Sequence, residues 1–381
     1  MSRLKCSSRL LSVALLASTS ALVVGCSSSR PPTRTAADEL KPLAASDKSP
    51  SYKSQESWKK IQSFLPKDMQ LTDATLPKPA TFSWRGHEVY TERFANPQSP
   101  VKFVLFHGVG TNGRQMTTLV GAPLARRGYE TVSIDMPGYG VTRVNSDTTV
   151  VYDDWVTLGS EFVDAELKRD PRPVILYGLS AGGMLTYHVA AKNKKVSGIV
   201  GMTFLDQRVS EVRNETSRNW FMSNVGLPMA KMSSWSFFGG MKMPMTMVSK
   251  MSALVNDPKA LDVFLDDRSS AGNSMPLRFL VDYTSYKPAI EPENFDVCPI
   301  LLTQPAEDKW TPLRLSTPFL NRIKKVPVKV IMLDKAGHYP LEQPGIAQLH
   351  DAMTAFAKTV TTSTATAKAP SASTMRSVPT P

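Results

Sequence analysis

The sequence predicts an α/β fold in which a mostly parallel β-sheet carries helices on both faces. Short apolar runs alternate with segments of helical periodicity through most of the chain, and this alternation is typical of parallel sheets. One apolar run leads directly into a serine flanked by glycines, in a strand-to-helix context. The chain has 381 residues and exceeds one ordinary domain, so a large core with an insertion or tails is expected.

The predicted elements follow one another in a regular order. A hairpin is expected over residues 81–93, with its turn at Arg85 and Gly86. Strands are predicted at residues 101–106, 131–134, 174–177, 197–204, 300–303 and 328–333. Helices are predicted near residues 115–127, 154–169, 181–191, 313–323 and 345–357.

The formal net charge of +12 could indicate a partner such as nucleic acid or an anionic membrane, so the position of the charges matters. Residues 1–25 contribute +3, residues 26–60 another +3 and residues 359–381 a further +2. Subtracting these from +12 leaves +4 for residues 61–358, where 33 bases face 29 acids. The body is nearly balanced, and we therefore expect no nucleic-acid partner.

The N-terminus has the pattern of a secretory signal over residues 1–25. Three basic residues precede an apolar stretch, residues 10–24, that is too short and too rich in serine to span a membrane. The stretch ends in Leu22–Cys26, which resembles the bacterial lipoprotein box. By that resemblance Cys26 becomes the first mature residue and carries a diacylglycerol and an N-acyl chain such as palmitate. The alternative is a plain cleaved signal with an incidental cysteine.

Lipid attachment at Cys26 would anchor the protein to a membrane without a transmembrane helix, because each buried methylene contributes about 0.8 kcal/mol. Ser27, which is not acidic, follows the cysteine. In this respect the sequence resembles lipoproteins sorted to the outer membrane of a diderm bacterium, facing the periplasm or the surface. The expected location is therefore the bacterial cell envelope.

Both ends of the chain have the composition of disordered segments. Residues 26–60 are rich in Ser, Pro, Ala and Lys and are expected to be a disordered tether, and residues 359–381 a disordered tail. Of the three cysteines, Cys6 belongs to the signal and Cys26 to the lipid site. Cys298 is then expected to be a buried free thiol without a disulfide partner.

The pentapeptide Gly178–Gly182 (GLSAG) contains Ser180, the serine that we expect to act as a nucleophile. It lies between an apolar strand and a helical pattern, which is the context of a Gly-x-Ser-x-Gly nucleophile elbow. A sharp strand-to-helix turn strains the backbone of Ser180 and brings neighbouring chain close. The positions two before and two after the serine must therefore lack bulk.

Several motifs around this elbow resemble those of the α/β-hydrolases over residues 80–358. They are His107–Gly110 after the third strand, Asp135–Gly140 after the fourth, the elbow itself, and Gly337–Glu342 after the last strand. The resemblance implies an eight-stranded, mostly parallel sheet with a cap inserted after the sixth strand. The core would then comprise residues 61–206 and 297–358, with a helical cap at residues 207–296.

A serine hydroxyl is a weak nucleophile that needs a base, itself oriented by a carboxylate. The resemblance places the base at His338 and the acid at Asp308, within a loop similar to the family's Gly-x-x-Asp-x-x-x-Pro. Gln304-Pro305 stand where glycine is common, so Glu307 remains the alternative acid. The chain order Ser180, Asp308, His338 is that of α/β-hydrolases.

Backbone donors are expected to hold the negative charge that develops on the carbonyl oxygen. The resemblance implies the N–H groups of Ala181 and Val109, with Gly110 as the alternative to Val109. His107 is expected to support this loop. Asp135 and Glu342 are expected to shape their loops, and His87, His188 and His350 to be surface or helix histidines.

The predicted cap is rich in methionine and aromatic side chains. Eight of the 18 methionines lie between Met222 and Met251, near five aromatic residues: Trp220, Phe221, Trp235, Phe237 and Phe238. They could simply pack the cap, or they could form a groove for a flexible acyl chain. Asn256–Pro258 and Leu277–Leu280 also resemble the caps of monoacylglycerol lipase and lysophospholipase relatives.

Together these features predict a serine ester hydrolase that acts on a lipid or small acyl ester through an acyl-enzyme, with no metal or organic cofactor. One alternative is a peptidase or amidase resembling the proline iminopeptidases, which share the cap and the triad. Another is a catalytically silent envelope-binding module. Thioesterase, lactonase and carbon–carbon hydrolase activities use the same residues and remain open.

Overall fold

The computed structural model of the chain describes residues 40–42, 51–219 and 237–368. Several features expected from the sequence lie outside these residues: the signal at residues 1–25, Cys26 and most of the tether, the cap residues Trp220, Phe221 and Trp235, and the tail beyond residue 368. Within the described part of the chain, no helix combines the length and the apolar character needed to cross a membrane.

A mixed sheet forms the centre of the molecule. Its strands are β1 (Leu40–Pro42), β2 (Lys78–Trp84), β3 (His87–Phe94), β4 (Lys102–Phe106), β5 (Glu130–Ile134), β6 (Val174–Gly178), β7 (Gly198–Gly201), and, after the cap, β10 (Ile300–Pro305) and β11 (Val328–Leu333). Their order across the sheet is β1-β2-β3-β5-β4-β6-β7-β10-β11. The pairs from β5 to β11 are parallel, and β1, β2 and β3 add antiparallel pairs.

This sheet confirms the predicted fold class, and the described residues add the short strand β1 to the eight strands expected. Strands β4, β5 and β6 are buried along their whole length, as expected for strands covered by helices on both faces. The predicted hairpin is β2 and β3. Arg85 and Gly86 form its turn with φ of 47° and 81°, the left-handed conformation that two-residue hairpin turns require.

The helices that flank the sheet agree in part with the prediction. They are α1 (Glu56–Gln62), α2 (Gly113–Met116), α3 (Ala122–Arg126), α4 (Tyr152–Arg169) and α5 (Ala181–Asn193), then α10 (Thr317–Leu320) and α11 (Gly345–Lys368) after the cap. A π-helical turn, Thr117–Gly121, joins α2 to α3. The helix predicted at residues 313–323 is shorter, because Pro318 lies inside it and cannot continue a preceding helix.

The predicted cap contains strands as well as helices. Its described elements are α6 (Ser210–Thr216), β8 (Lys242–Pro244), α7 (Met245–Val248), α8 (Pro258–Asp266), β9 (Ser274–Pro276) and α9 (Leu277–Ser285). Strands β8 and β9 form an antiparallel pair, which the expectation of a helical cap did not include. Each strand has three residues and ends in a proline, too short to show the alternation that reveals a strand in sequence.

An ionic cluster joins the two ends of the cap. The Arg208 guanidinium, where the chain enters the cap, bonds Asp206 on the core side at 2.8 Å. It also bonds Glu291, where the chain leaves the cap, at 2.6 and 2.9 Å. Because these pairs are only partly buried and form a network, they contribute more than an isolated surface ion pair. The entry and exit of the cap are thereby held at one point on the core.

The N-terminal segment from residue 51 onward is folded, so the expectation of a disordered tether through residue 60 was wrong for these residues. Tyr52 and Trp58 are buried, and the Tyr52 hydroxyl donates to the Asp135 carboxylate at 2.9 Å. The Arg114 guanidinium lies over both rings, 4.8 Å from the centroid of Tyr52 and 4.3 Å from that of Trp58. Tyr52 and Trp58 thus bury enough apolar surface to hold the segment on the core, which its average composition did not indicate.

The C-terminal helix also extends beyond the prediction. Helix α11 continues to Lys368, so residues 359–368 are helical and the expectation of disorder was wrong there. Val360 is buried against the core. The hydroxyls of Thr361 and Thr362 donate to backbone carbonyls four residues earlier, at 3.2 and 3.0 Å. These bonds satisfy the polar groups that made the stretch look like a loop.

Candidate active site

Ser180 lies at the turn between β6 and α5, with φ 56° and ψ −125°. This backbone conformation is costly for a residue with a side chain and matches the strain expected of a nucleophile elbow. A Cβ on Gly178 would lie 1.9 Å from the Gly182 oxygen, and one on Gly182 would lie 2.7 Å from the His107 oxygen. Both positions must therefore lack a side chain, as the sequence pattern required.

The structure brings His338 and Asp308 together from two loops at the carboxyl ends of β11 and β10. The Nδ1 atom of His338 lies 2.9 Å from Oδ2 of Asp308. Both side chains are almost completely buried. Glu307, the alternative acid, is exposed to solvent. The geometry thus favours Asp308 over Glu307 as the carboxylate that orients His338.

Asp308 is satisfied by four hydrogen bonds. The N–H groups of Trp310 and Thr311 donate to Oδ1 at 2.8 and 2.7 Å, and the Thr311 hydroxyl donates to Oδ2 at 2.7 Å. Burial by itself would raise the pKa of Asp308, but the adjacent His338 ring and the hydrogen bonds from His338 and Thr311 lower it to about 2. An ionised Asp308 can only accept, so His338 carries its proton on Nδ1.

The other ring nitrogen of His338 is available to a substrate. Nε2 is buried and has no hydrogen-bond partner among the residues that the structure describes. The His338 ring also packs against Trp310, with 4.7 Å between the ring centroids. An imidazole held at Nδ1, packed on one face and unpaired at Nε2 is poised to accept a proton.

The loop after β4 lies against the elbow. A Cβ on Gly108 would lie 2.9 Å from the Cβ of Ser180, so the loop backbone approaches the serine closely. The Tyr139 hydroxyl donates to the Val109 oxygen at 2.7 Å and fixes this turn. In the described part of the molecule, no backbone or side-chain acceptor pairs with the Val109 or the Ala181 N–H. These two amides are thus available to an oxyanion.

His107 holds this loop in place, as its resemblance to the family implied. The Met136 N–H donates to Nε2 at 2.9 Å, so the ring proton is on Nδ1, which donates to the Gly108 oxygen at 2.8 Å. Burial lowers the pKa of His107 to about 4. The ring therefore stays neutral, and its role is to hold the loop after β4 in place.

The acidic residues expected to shape loops do so. Asp135 accepts from the N–H groups of Gly113 and Val141 at 2.7 and 2.9 Å, and Glu342 accepts from those of Gly337 and Leu341 at 3.0 and 2.9 Å. Each carboxylate closes a turn beside the site.

The remaining histidines are structural. His188 lies on helix α5 and His350 on helix α11, in agreement with the expectation of surface or helix histidines, whereas His87 lies in β3 and is not exposed. His87, His188 and His350 are all buried, each with a hydrogen bond to a neighbouring residue. His350, for example, bonds the Leu119 oxygen at 2.7 Å. The residue four positions after Leu119 is Pro123, which has no N–H and cannot donate the usual helical hydrogen bond to this carbonyl. Cys298 is a buried free thiol, as predicted.

A cleft opens between the core and the cap, and Ser180 lies in its wall. Val109 and Ser180 line it from the core, Met245, Val248 and Leu280 from the cap. Its other described lining residues are also apolar or neutral: Leu205, Gln207, Thr216, Ser217, Ser249, Tyr283, Thr284, Trp310 and Thr311. Val109 lines this cleft whereas Gly110 does not, which favours Val109 as the donor from its loop.

The methionine-rich segment contributes to the cleft only in part. Met245 lines it, whereas Met251 is buried against Gly110 and the core. Met241 and Met247 are each about half exposed, and Phe238 is 59% exposed. The hypothesis of an acyl-chain groove is therefore carried by Met245 and its apolar neighbours rather than by the whole methionine run.

Sequence reasoning missed the side chains that complete the site. Thr311 bonds Asp308 and also lies 3.0 Å from Nδ1 of His338 through its hydroxyl. Gln207 and Tyr283 form a polar pair in the cleft wall. Thr311 follows the predicted acid by three residues and could have been considered, but nothing in the sequence joins Gln207 to a tyrosine 76 positions later.

Comparison with known proteins identifies the class to which this fold and site belong. A sequence model described as the alpha/beta hydrolase family matches residues 103–347. The match covers well over half of the chain, and the chain therefore belongs to the alpha/beta hydrolase family. Membership of this family confirms the resemblance and the enzyme class expected from the motifs.

One curated relative is protein phosphatase methylesterase 1 from Mus musculus. It is 26% identical over 121 residues, which make up 32% of this chain and 31% of that protein. The corresponding protein from Bos taurus is 25% identical over the same length. The chain thus spans about a third of the length of the curated relatives it matches.

Two solved structures are similar in fold. A soluble variant of monoglyceride lipase from Saccharomyces cerevisiae, in complex with a substrate analogue, has a TM-score of 0.63 and 16% identity, covering 78% of this chain and 98% of that one. The monoacylglycerol lipase of Paleococcus ferrophilus has a TM-score of 0.55 and 18% identity, covering 72% and 99%. At these identities the likeness concerns the fold alone.

Proposed function

We propose that the protein hydrolyses carboxylic esters through a Ser180 acyl-enzyme. The observation that carries this proposal is the state of the His338 ring, which Asp308 holds at Nδ1 while Nε2 is buried and unpaired among the described residues. Trp310 and Thr311, which contact this ring, line the same cleft as Ser180. A base in this state, facing the cleft of a serine on a strained elbow, is the arrangement that activates a hydroxyl nucleophile.

In the proposed reaction, the Ser180 oxygen attacks the ester carbonyl and its proton passes to Nε2 of His338. The carbonyl oxygen becomes negative and accepts hydrogen bonds from the Val109 and Ala181 N–H groups, which contribute a few kcal/mol to the transition state. His338 then gives the proton to the leaving alcohol as the carbon–oxygen bond breaks. Water repeats the sequence and releases the carboxylic acid.

The Ser180 hydroxyl makes no hydrogen bond to His338 in this structure. Catalytic hydrogen bonds are often long before substrate binds and shorten in the complex.

The neutral lining of the cleft supports an ester over a peptide with a free amino terminus. A peptidase that binds an ammonium group needs a carboxylate to compensate its charge. Among the described residues that line the cleft, none is ionised. The curated relative, named as a methylesterase, also fits ester cleavage.

A fluorophosphonate probe tests the proposal directly. We expect the purified protein to be labelled at Ser180 and to hydrolyse p-nitrophenyl butyrate. The matched variant Ser180→Ala should lose both properties while keeping its thermal stability. Labelling that persists in Ser180→Ala, or a wild type that resists the probe and all simple esters, contradicts the proposal.

We also propose that Cys26 is lipidated and holds the enzyme at the cell envelope. The support is the sequence Leu22–Cys26, which resembles a lipoprotein box, and the polar residues that follow it. Metabolic labelling with an alkynyl palmitate tests this. The wild type should be labelled and should sediment with membranes, whereas Cys26→Ser should not be labelled and should not sediment with them. Equal labelling of the wild type and the variant excludes Cys26 as the lipidation site.

A further inference from the structure

The wall of the cleft carries a polar pair that the proposed reaction does not use. Tyr283 lies on helix α9, whose residues Leu280, Tyr283 and Thr284 line the cleft together as one face of the helix. The side-chain amide of Gln207, at the start of the cap, donates to the Tyr283 hydroxyl oxygen at 3.4 Å. The pair thus joins the entry of the cap to the helix opposite.

The Tyr283 ring is held in place on other sides. Its centroid lies 5.0 Å from that of Tyr152 in an edge-to-face contact, and the ring stacks on Phe279 at 6.4 Å. Gln207 is almost fully buried. A hydroxyl on a packed ring, bonded by a buried amide, has a fixed position at little entropic cost.

The Tyr283 hydroxyl keeps one unused donor. Gln207 satisfies its oxygen, but no residue in the described part of the chain accepts its hydrogen. Burial raises the pKa of Tyr283, so the hydroxyl remains protonated at neutral pH. A donor without an acceptor is costly in a cleft from which substrate displaces water, unless the substrate supplies the acceptor.

The charge of the surroundings selects the kind of acceptor. The residues beside Tyr283 in the cleft are neutral, including Thr216, which bonds Gln207 at 3.3 Å, and Ser217. A phosphate or carboxylate placed there would lose its hydration, and no described residue that lines the cleft carries a positive charge to compensate it. A hydroxyl oxygen of the alcohol part of the substrate has no such penalty.

We infer that Tyr283, positioned by Gln207, donates a hydrogen bond to an uncharged oxygen of the substrate, so that the enzyme acts on esters of neutral, hydroxylated alcohols. This inference rests on the proposed ester hydrolysis and names its substrate class. Tyr283 is thereby a specificity-determining residue, and esters with an anionic group near the scissile bond are poor substrates.

A series of three esters with one acyl chain tests the inference. The probes are the hexanoyl esters of glycerol, of 1-propanol and of glycerol 3-phosphate. We expect the wild type to show kcat/KM for the glycerol ester at least 100-fold above that for the phosphate ester. Comparable values for these two overturn the inference.

Two variants assign the preference to the hydroxyl. We expect Tyr283→Phe to lower kcat/KM for the glycerol ester about tenfold more than for the propyl ester, the magnitude of one neutral hydrogen bond. Tyr286→Phe is the matched control, because its hydroxyl bonds Asp153 at 2.9 Å and it is not among the described residues lining the cleft. Equal losses for both esters in Tyr283→Phe indicate a structural role and overturn the inference.

The failure of this inference can be told apart from the failure of ester hydrolysis. If Ser180 is labelled by fluorophosphonate and all three esters are cleaved at similar rates, only the substrate class is wrong. If Ser180 is not labelled and none of the esters is cleaved, the proposed function is wrong as well.

Discussion

The hydroxyl of Thr311 lies 2.7 Å from Oδ2 of Asp308, the same oxygen that accepts from His338. The Thr311 oxygen is also 3.0 Å from Nδ1 of His338, so the three groups form a closed triangle. The Thr311 hydroxyl donates its hydrogen to Oδ2 of Asp308. The Nδ1 hydrogen of His338 is shared between that carboxylate oxygen and the Thr311 oxygen. Thr311 therefore fixes the carboxylate and the imidazole relative to each other.

Replacing Thr311 by valine should slow the reaction. The variant keeps the shape of the side chain but removes the hydroxyl that bonds Asp308 and lies against Nδ1 of His338. We expect kcat to fall about fivefold to tenfold, because the ring is less well oriented. Steady-state kinetics on p-nitrophenyl butyrate measures the loss.

The matched control for this experiment is Thr311→Ser, which keeps the hydroxyl. Its kcat should stay close to that of the wild type. If the valine and serine variants lose activity equally, the hydroxyl does not position the pair.

Asp308 and Glu307 should differ sharply when each is replaced by its amide. Asp308→Asn leaves the size of the side chain but removes the charge that holds the Nδ1 proton of His338, and we expect kcat to fall by a factor on the order of 10⁴. Glu307→Gln, on an exposed neighbour, should remain within twofold of the wild type. Steady-state kinetics on p-nitrophenyl butyrate measures both. A larger loss in Glu307→Gln would falsify the choice of Asp308.

The elbow was predictable from sequence because its constraint is local. Gly178 and Gly182 lie two positions on either side of Ser180, and the close backbone contacts at both follow from the turn itself. The strand and helix on either side show clear periodicity over several residues. For the same reason the succession of strands along the chain and the positions of most helices agreed with the prediction.

The parts that escaped prediction depend on partners distant in sequence. Tyr52 bonds Asp135, 83 positions away, and Gln207 bonds Tyr283, 76 positions away. The pairing of β8 with β9 similarly joins two three-residue segments across the cap. Composition and periodicity describe single segments, so they cannot reveal contacts that arise only when the sheet assembles.

The folded N-terminal segment should contribute measurably to the stability of the body. Tyr52→Phe removes one donor from the buried Asp135 carboxylate and should lower the free energy of unfolding by about 1–3 kcal/mol. Glu56→Gln alters an exposed side chain of the same segment and should have an effect below about 0.5 kcal/mol. Urea titration followed by tryptophan fluorescence measures both. Equal stability of Tyr52→Phe and the wild type would mean that this segment is not docked in solution.

Acid should destabilise the protein in part through His350. Burial lowers the pKa of His350 to about 4, whereas a histidine in the unfolded chain titrates near 6.5. Between these pH values the unfolded state binds more protons than the folded state, so stability falls as the pH decreases from about 6.5 to about 4. The full effect is on the order of 3 kcal/mol at the lower pH.

The variant His350→Gln tests this effect, because glutamine can still donate to the Leu119 oxygen but cannot be protonated. At pH 7.5 its free energy of unfolding should lie close to that of the wild type or slightly below. At pH 4.5 it should have lost less stability than the wild type, although His107 and His188 still contribute, because burial lowers their pKa values too, to about 4 and about 3. Parallel losses in the two proteins across this range would show that His350 is protonated equally easily in the folded and unfolded states.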